Sequence, residues 1–210
     1  MGSVIAIDGP AASGKSSVSR GVACALGFLF VSSGHFYRAL AWAYVRDNPA
    51  AEIDWLRALN LQSEEFKNTI RIRLDGQDAT AHLSDPDVVA MVSRLAGNSL
   101  VRDFVNERLR ALATERDLVM EGRDIGSVVF PNTPFKFYLD ASPEERARRR
   151  GAEGAVDMIS VRDHLDSTRM TSPLTIPEGA EVIDTTHLTL EEVIETVLKR
   201  LNKLQLKRSQ

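Results

Sequence analysis

Apolar residues in this chain come in short unbroken runs, each followed by a stretch with helical spacing. Residues 3–8 (SVIAID) form one such run, and it stops at Gly9-Pro10. A strand covered on both faces loses the in-out alternation, so this run reads as a buried parallel strand. The pattern predicts a helix over 14–26, a strand over 28–31 (FLFV) and a helix over 34–46. Later, 117–120 (DLVM), 135–139 (FKFYL) and 181–184 (EVID) are three more apolar runs. Each is bounded by turn or helix-start signals. SPEE (142–145) offers Ser at the N-cap, Pro at the first helical position and Glu at the third, a capping box, and TLEE (189–192) repeats the logic before a last helix. Strands alternating with helices predict an α/β fold with a five-stranded parallel sheet flanked by helices.

The middle of the chain breaks this rhythm. Residues 68–83 (NTIRIRLDGQDATAHL) alternate apolar and polar positions around Asp75-Gly76, which predicts an antiparallel hairpin. Asp85-Pro86 then opens a helix over 86–96, and another is expected over 101–115. A hairpin inside an α/β pattern implies an inserted subdomain from roughly residue 48 to residue 100. No internal repeat or low-complexity block is visible, and KLQLKRSQ at the end reads as a frayed tail.

Charge and composition narrow the partners. With 210 residues, the chain can bury one sizeable core and carry a small mobile lobe. The net charge of −3 gives no reason to expect nucleic acid as a partner. An anionic ligand must then be drawn by local arginines. Cys24 is the single cysteine and lies in a helical stretch, so it is expected in the core of a protein from a reducing compartment. No apolar run approaches the roughly 18 residues of a membrane span, and the N-terminal run is too short for a signal peptide. No membrane partner and a cytoplasmic location are expected.

Candidate chemistry begins at Gly9-x-x-x-x-Gly14-Lys15-Ser16, the Walker A pattern, set between a predicted strand and a predicted helix. Glycines let several backbone N–H groups converge on one centre, and the helix N-terminus adds its positive end. Gly9, Pro10, Ala11, Ala12, Ser13, Gly14, Lys15, Ser16 and Ser17 are therefore the expected cradle for the triphosphate of ATP. Lys15 reaches the β- and γ-phosphates, and the Ser16 hydroxyl is the expected Mg²⁺ contact.

Three further clusters sit where strands end, the place at which open parallel sheets bind ligands. Ser33 and Arg38 follow the second strand, where a capped helix with a surface Arg is the bland alternative. Glu121-Gly122-Arg123-Asp124 follows 117–120, where Arg123-Asp124 could equally be a structural salt bridge. Arg162, Asp166 and Arg169 share one helical face, suited either to an internal ladder of ion pairs or to a phosphorylated, hydroxylated ligand. Arg146, Arg148, Arg149 and Arg150 follow the capping box as a solvated face or as part of a lid. A site rich in Arg and poor in candidate bases suits an acceptor that arrives already ionised, that is, a phosphate. Asp124 and Asp166 could still act as bases.

Five segments, IAIDGPAASGKSSVSRGVA, SSGHFYRALAW, EGRDIGSVVFPNTPFKFYLDASPEERARRR, RDHLDSTRMTSPL and VIDTTHLTLEEV, resemble the bacterial cytidylate kinases, nucleoside monophosphate kinases of the P-loop class. The resemblance covers most of the chain in the family's order. It implies ATP-dependent phosphorylation of CMP and dCMP with Mg²⁺, on a P-loop fold with an inserted NMP-binding subdomain and a short lid. The implied division is core over 1–37, NMP-binding region over 38–115, core over 116–145, lid over 146–158, and core with a C-terminal helix over 159–210. Lys15, Arg123, Arg162 and Arg169 fall on catalytic positions, and Arg146, Arg149 and Arg150 are available to ATP. Ser33, Tyr37, Arg38, Ser93, Arg102, Arg123, Asp124, Arg162, Asp166 and Arg169 fall on positions that hold the acceptor nucleotide. Small nucleotides are the implied partners, and a monomer is the expected state. Ser32 stands where the family usually has Asp, and Leu109 where Gln is common. Two other readings compete. One is a P-loop kinase for a different small acceptor; the other is a nucleotide-binding regulatory module with little turnover.

Overall fold

The computed structural model describes residues 2–152, 174–204 and 206. Among them, strand β1 (Val4–Asp8) is buried throughout and followed by helix α1 (Lys15–Leu26), strand β2 (Leu29–Ser32) and helix α2 (Ser33–Asp47). Helix α3 (Glu52–Ala58), strands β3 (Leu61–Phe66), β4 (Thr69–Leu74) and β5 (Gln77–Asp78), and helices α4 (Pro86–Gly97) and α5 (Ser99–Glu115) form the middle of the chain. Strand β6 (Leu118–Gly122), a π-helical turn (Ile125–Val129), strand β7 (Phe135–Asp140), helix α6 (Pro143–Ala152), strand β8 (Glu181–Asp184) and helix α7 (Leu190–Lys203) complete it. No described helix is long and apolar enough to cross a membrane.

Among the described residues the sheet has eight strands and not the expected five, in the order β3-β4-β2-β6-β1-β7-β8, with β5 on β4. The five expected strands, β2-β6-β1-β7-β8, do lie side by side and parallel, with β8 at the sheet's edge. The hairpin does not stand apart from them. It joins the free edge of β2 through the parallel pair Phe30–Thr69 and a bond from the Phe30 N–H to the Asn68 carbonyl. An unpaired strand edge is a row of open donors and acceptors, and β4 closes it.

The hairpin itself differs from expectation. Asp75-Gly76 does turn β4 into β5, but the longer pairing is β3 with β4, through Lys67-Asn68. Both of those residues have positive φ (50° and 62°), the geometry of a two-residue type I′ turn. The turn contains no glycine, and β3 is exposed beyond Leu61, so neither turn chemistry nor alternation announces it.

Alternation along the central strands feeds two cores. Ile5, Ile7, Phe30, Val119 and Phe137 pack with Val18 and Val22 of α1 and Val193 and Val197 of α7. Val4, Ala6, Val31 and Met120 face Phe36 and Leu40 of α2, Leu95 of α4, and Val101, Val105 and Leu109 of α5. A fully buried Ile or Phe contributes about 2 kcal/mol, so a one-residue slip of any central strand is prohibitive. Cys24 is exposed, contrary to expectation. The buried face of α1 is Lys15, Val18, Ser19, Val22 and Ala23, and Cys24 falls one position beyond it. The caps also divide. Thr189 and Glu192 form the full reciprocal box. At α6, Ser142 Oγ accepts the Glu145 N–H (3.2 Å), but the Ser142 N–H goes to Thr186 Oγ1 (2.9 Å), and the Glu145 carboxylate turns to Arg148 and Arg149.

Asp8 ends β1 on the α5 side of the sheet. Its two carboxyl oxygens accept the N–H groups of Ile125 (2.8 Å) and Gly126 (2.7 Å), which anchors the turn that follows Asp124. Burial, only partly offset by those donors, pushes its pKa from 3.8 up to about 7. Below 3.8 both folded and unfolded chains hold this proton. Between 3.8 and about 7 the unfolded chain has lost it and the folded chain has not, so stability falls as pH rises through this window and levels off above it. Urea unfolding between pH 4.5 and pH 8 is expected to show that fall, and Asp8→Asn to lack it. The variant should also lose about 1–3 kcal/mol overall, because Asn has one acceptor oxygen where Asp has two. An equal pH slope in both proteins would remove Asp8 as its source.

Candidate active site

After Asp8 the chain turns sharply, because the backbone of the next strand is close. A Cβ on Gly9 would lie 2.1 Å from the Leu139 carbonyl oxygen. The turn continues through Ala12 (φ 59°) to Gly14 (φ 87°), which caps α1 in a left-handed conformation that glycine adopts without strain. The result is a loop whose N–H groups and helix start face one centre. Lys15 is only 6% exposed and donates from Nζ to the Pro10 carbonyl across the loop (2.8 Å).

The adjacent strand end supplies a carboxylate that the sequence reading did not single out. Register pairs Glu121 of β6 with Ile7 on one side and Ser32 on the other, so these side chains share the α1 face of the sheet. Oε1 of Glu121 accepts hydrogen bonds from Ser16 Oγ (3.1 Å) and Ser32 Oγ (2.5 Å). Burial opposes the charged form of Glu121, but Lys15, the Ser32 hydroxyl and Arg123 outweigh it and hold its pKa below the ordinary range. Its only advance signal was position, a carboxylate at a strand end next to the loop strand. Ser33 does not cap α2; its hydroxyl donates to the Glu121 carbonyl (3.0 Å).

A cavity of about 300 Å³ opens from this point. Ala11, Ala12, Lys15, Ser16 and Glu121 line its end at the loop, and Ser33, His35, Arg38, Arg123 and Arg150 line its middle. Arg38 donates to the Leu83 carbonyl and Arg123 to the Gly9 carbonyl (both 3.0 Å). The pKa of Arg38 is lowered by burial first and then by the positive charges of Arg150 and Arg123, against Glu121. Burial likewise lowers the pKa of His35, which keeps its imidazole neutral at pH 7.

The far end of the cavity is formed by Tyr37, Ser93, Ala96, Arg102 and Asp124. Arg102 and Asp124 form a buried ion pair, and Arg102 Nη1 also donates to the Ala96 carbonyl (3.2 Å). Thus Asp124 pairs across the cavity with α5, and Arg123 turns back to the phosphate loop. A buried, singly paired carboxylate beside a fixed guanidinium offers an acceptor and donors side by side, a suitable reader for the edge of a base.

A second cavity of about 350 Å³ lies on the other side of the loop. Ala12, Ser13, Gly14 and Ser17 meet Arg148 and Arg149 of α6 there, with Thr185, Leu188, Leu190 and Val193. Arg149 is held by Glu145 and by the Thr185 carbonyl (2.7 Å). Arg146 lines neither cavity and donates to the carbonyls of Ala11 (3.3 Å) and Ala141 (3.2 Å). The three arginines grouped together from sequence are therefore divided: Arg150 faces the first cavity, Arg149 the second, and Arg146 braces the loop. Gly9 and Pro10 contribute backbone carbonyls. Arg162, Asp166 and Arg169, and residues 153–158 of the expected lid, lie outside the described residues.

Among solved structures, the chain is similar to a Thermus thermophilus protein (TM-score 0.55, 18% identity, 98% of this chain and 99% of that one). It is also similar to shikimate kinase from Acinetobacter baumannii (TM-score 0.50, 17% identity, 99% and 97%). At these identities the likeness shows a shared fold and nothing more. Sequence relatives are nearer. The chain is 42% identical to the cytidylate kinase of Caldanaerobacter subterraneus subsp. tengcongensis, over 95% of this chain and 94% of that protein. It is 39% identical to the cytidylate kinase of Pelotomaculum thermopropionicum, over 94% and 95%. The family description "Cytidylate kinase" matches residues 5–203. A phosphate loop, strand-end arginines and a buried Arg–Asp pair thus occur on a chain that belongs to the cytidylate kinase family.

Proposed function

We propose that this protein transfers the γ-phosphoryl group of ATP to CMP and dCMP, forming CDP and dCDP. One observation carries the reading: a single cavity joins the phosphate loop, three arginines and the buried Arg102–Asp124 pair. The loop holds the donor triphosphate, with its base in the second cavity. The acceptor phosphate lies among Ser33, Arg38, Arg123 and Arg150. Cytosine meets Tyr37, Ser93, Arg102 and Asp124. Its N4 amine donates to Asp124, and its N3 and O2 accept from Arg102. Uracil reverses the donor at N3 and the group at C4, which leaves buried polar atoms opposed.

The acceptor phosphate is already an anion, so no base is required, and the task is positioning and charge stabilisation. Lys15 and Arg123, with Arg162 and Arg169 as the resemblance implies, meet the charge that develops on the transferred group. Asp166 serves the sugar. Ser16 and Glu121 present hard oxygen donors that suit Mg²⁺. When bound with the nucleotide, Mg²⁺ supplies charge neutralisation at the β- and γ-phosphates. Residues 1–37, 116–145 and 159–210 act as core, 38–115 as the acceptor-side region and 146–158 as lid, in a monomeric enzyme.

With MgATP and a panel of acceptors, CMP and dCMP are expected to release ADP fastest; another acceptor ranking above both would overturn the reading. Lys15→Ala should lower kcat by about 10²–10³ with a small change in KM for CMP, because it loses charge contact in the transition state. Arg102→Met should instead raise KM for CMP about tenfold or more and narrow the gap to UMP. Glu121→Gln keeps an acceptor for Ser16 but loses the charge. It should raise the Mg²⁺ concentration needed for half-maximal rate, measured at fixed ATP.

A further inference from the structure

Helix α5 presents Arg102, Asn106 and Arg110 on one face, four residues apart. Arg102 meets Asp124, and Arg110 donates to the carbonyls of Val128 and Val129 (both 3.0 Å). This face therefore runs alongside the segment 124–129, with Asn106 between the two anchored arginines. Asn106 is 5% exposed, and its Oδ1 has no hydrogen-bond partner among the described residues. Arg102, one turn earlier and 2% exposed, has the same deficit at Nε. Its Nη1 and Nη2 are engaged with Ala96 and Asp124. An open buried acceptor and an open buried donor, one turn apart on one face, are each unfavourable and are mutually complementary.

We propose that Asn106 is a positioning residue for Arg102, its Oδ1 accepting the Nε–H of Arg102 in the nucleotide complex and so setting the plane of the guanidinium against the base. The proposal rests on the reading of Arg102 as the cytosine contact. An Nε–H bond fixes the last side-chain torsion, and the remaining N–H groups on Nη1 and Nη2 then point in two set directions. Cytosine has adjacent acceptors, N3 and O2, along those directions, whereas uracil carries a donor at N3. A guanidinium free to swing can turn to a carbonyl of uracil and loses that distinction.

Asn106→Leu, Asn106→Ala and Asn106→Asp are compared with the unaltered protein in steady-state kinetics with CMP and UMP at saturating MgATP, together with thermal unfolding. Asn106→Leu is expected to raise KM for CMP about fivefold to tenfold, leave kcat within about twofold, and narrow the CMP:UMP ratio of kcat/KM about tenfold. Its Tm should hold or rise, since an unsatisfied polar group has been removed. Asn106→Ala should narrow the ratio similarly without the bulk of Leu, and Asn106→Asp, which keeps an acceptor oxygen, should retain it. A CMP:UMP ratio unchanged in both Leu and Ala variants overturns the proposal. So does an equal loss on both nucleotides with a lower Tm, the mark of a packing role. If the unaltered protein shows no preference for CMP over UMP, the acceptor reading falls and the proposal with it; a preference that survives in the variants sinks the proposal alone.

Discussion

Strand β1 pairs in parallel with β6 on one side and β7 on the other, and its five residues are buried on both faces. The whole cleft depends on that placement. Its last residue, Asp8, grips the N–H groups of the turn after Asp124, and the next, Gly9, passes so close to the Leu139 carbonyl that no side chain fits. The same ladder puts Glu121 beside Ile7 and opposite Ser32, within reach of Ser16. A one-residue slip would exchange the two faces and separate these groups at once. The rigidity of the buried ladder is what lets short polar side chains meet at its end.

Three buried carboxylates lie in or behind the arginine-lined cleft, Glu121 and Asp124 in its lining and Asp8 beneath it, and their uses differ. Asp8 holds backbone, Glu121 holds two hydroxyls beside Lys15, and Asp124 holds Arg102. Several cations meanwhile lean on backbone carbonyls: Lys15 on Pro10, Arg38 on Leu83 and Arg123 on Gly9. A carbonyl is a neutral acceptor, and a phosphate oxygen forms the stronger, charge-assisted bond. Under the proposed function, those cations would exchange a carbonyl for a phosphate oxygen as the nucleotide enters.

Legibility from sequence followed the strength of local signals. Strands β1, β2, β6 and β7 were readable because largely buried strands are short, continuous and apolar, and the half-exposed edge strand β8 was readable from the short run Glu181–Asp184. The Asp75-Gly76 turn was readable because glycine favours positive φ. The Lys67-Asn68 turn was not, nor was β3, whose side chains lie largely in solvent. Cys24 was misplaced because a helical run shows periodicity but not its phase to within one residue. The docking of the hairpin onto β2 rests on hydrogen bonds between backbones, which no side-chain pattern encodes.

The site divides in the same way. The phosphate loop is a local device, in which spacing, glycines and the flanking strand and helix specify an anion cradle, so the sequence by itself determined the loop between β1 and α1 and the expectation of a nucleotide triphosphate there. The partners of the strand-end arginines were beyond it. Asp124 could have paired with its neighbour Arg123, but the packing of α5 carries Arg102 to it across 22 positions. Glu121 and Ser32, 89 positions apart, meet only through sheet register. Spacing constrains side chains within a turn or two of one element; which distant groups share a buried space follows from how the elements pack.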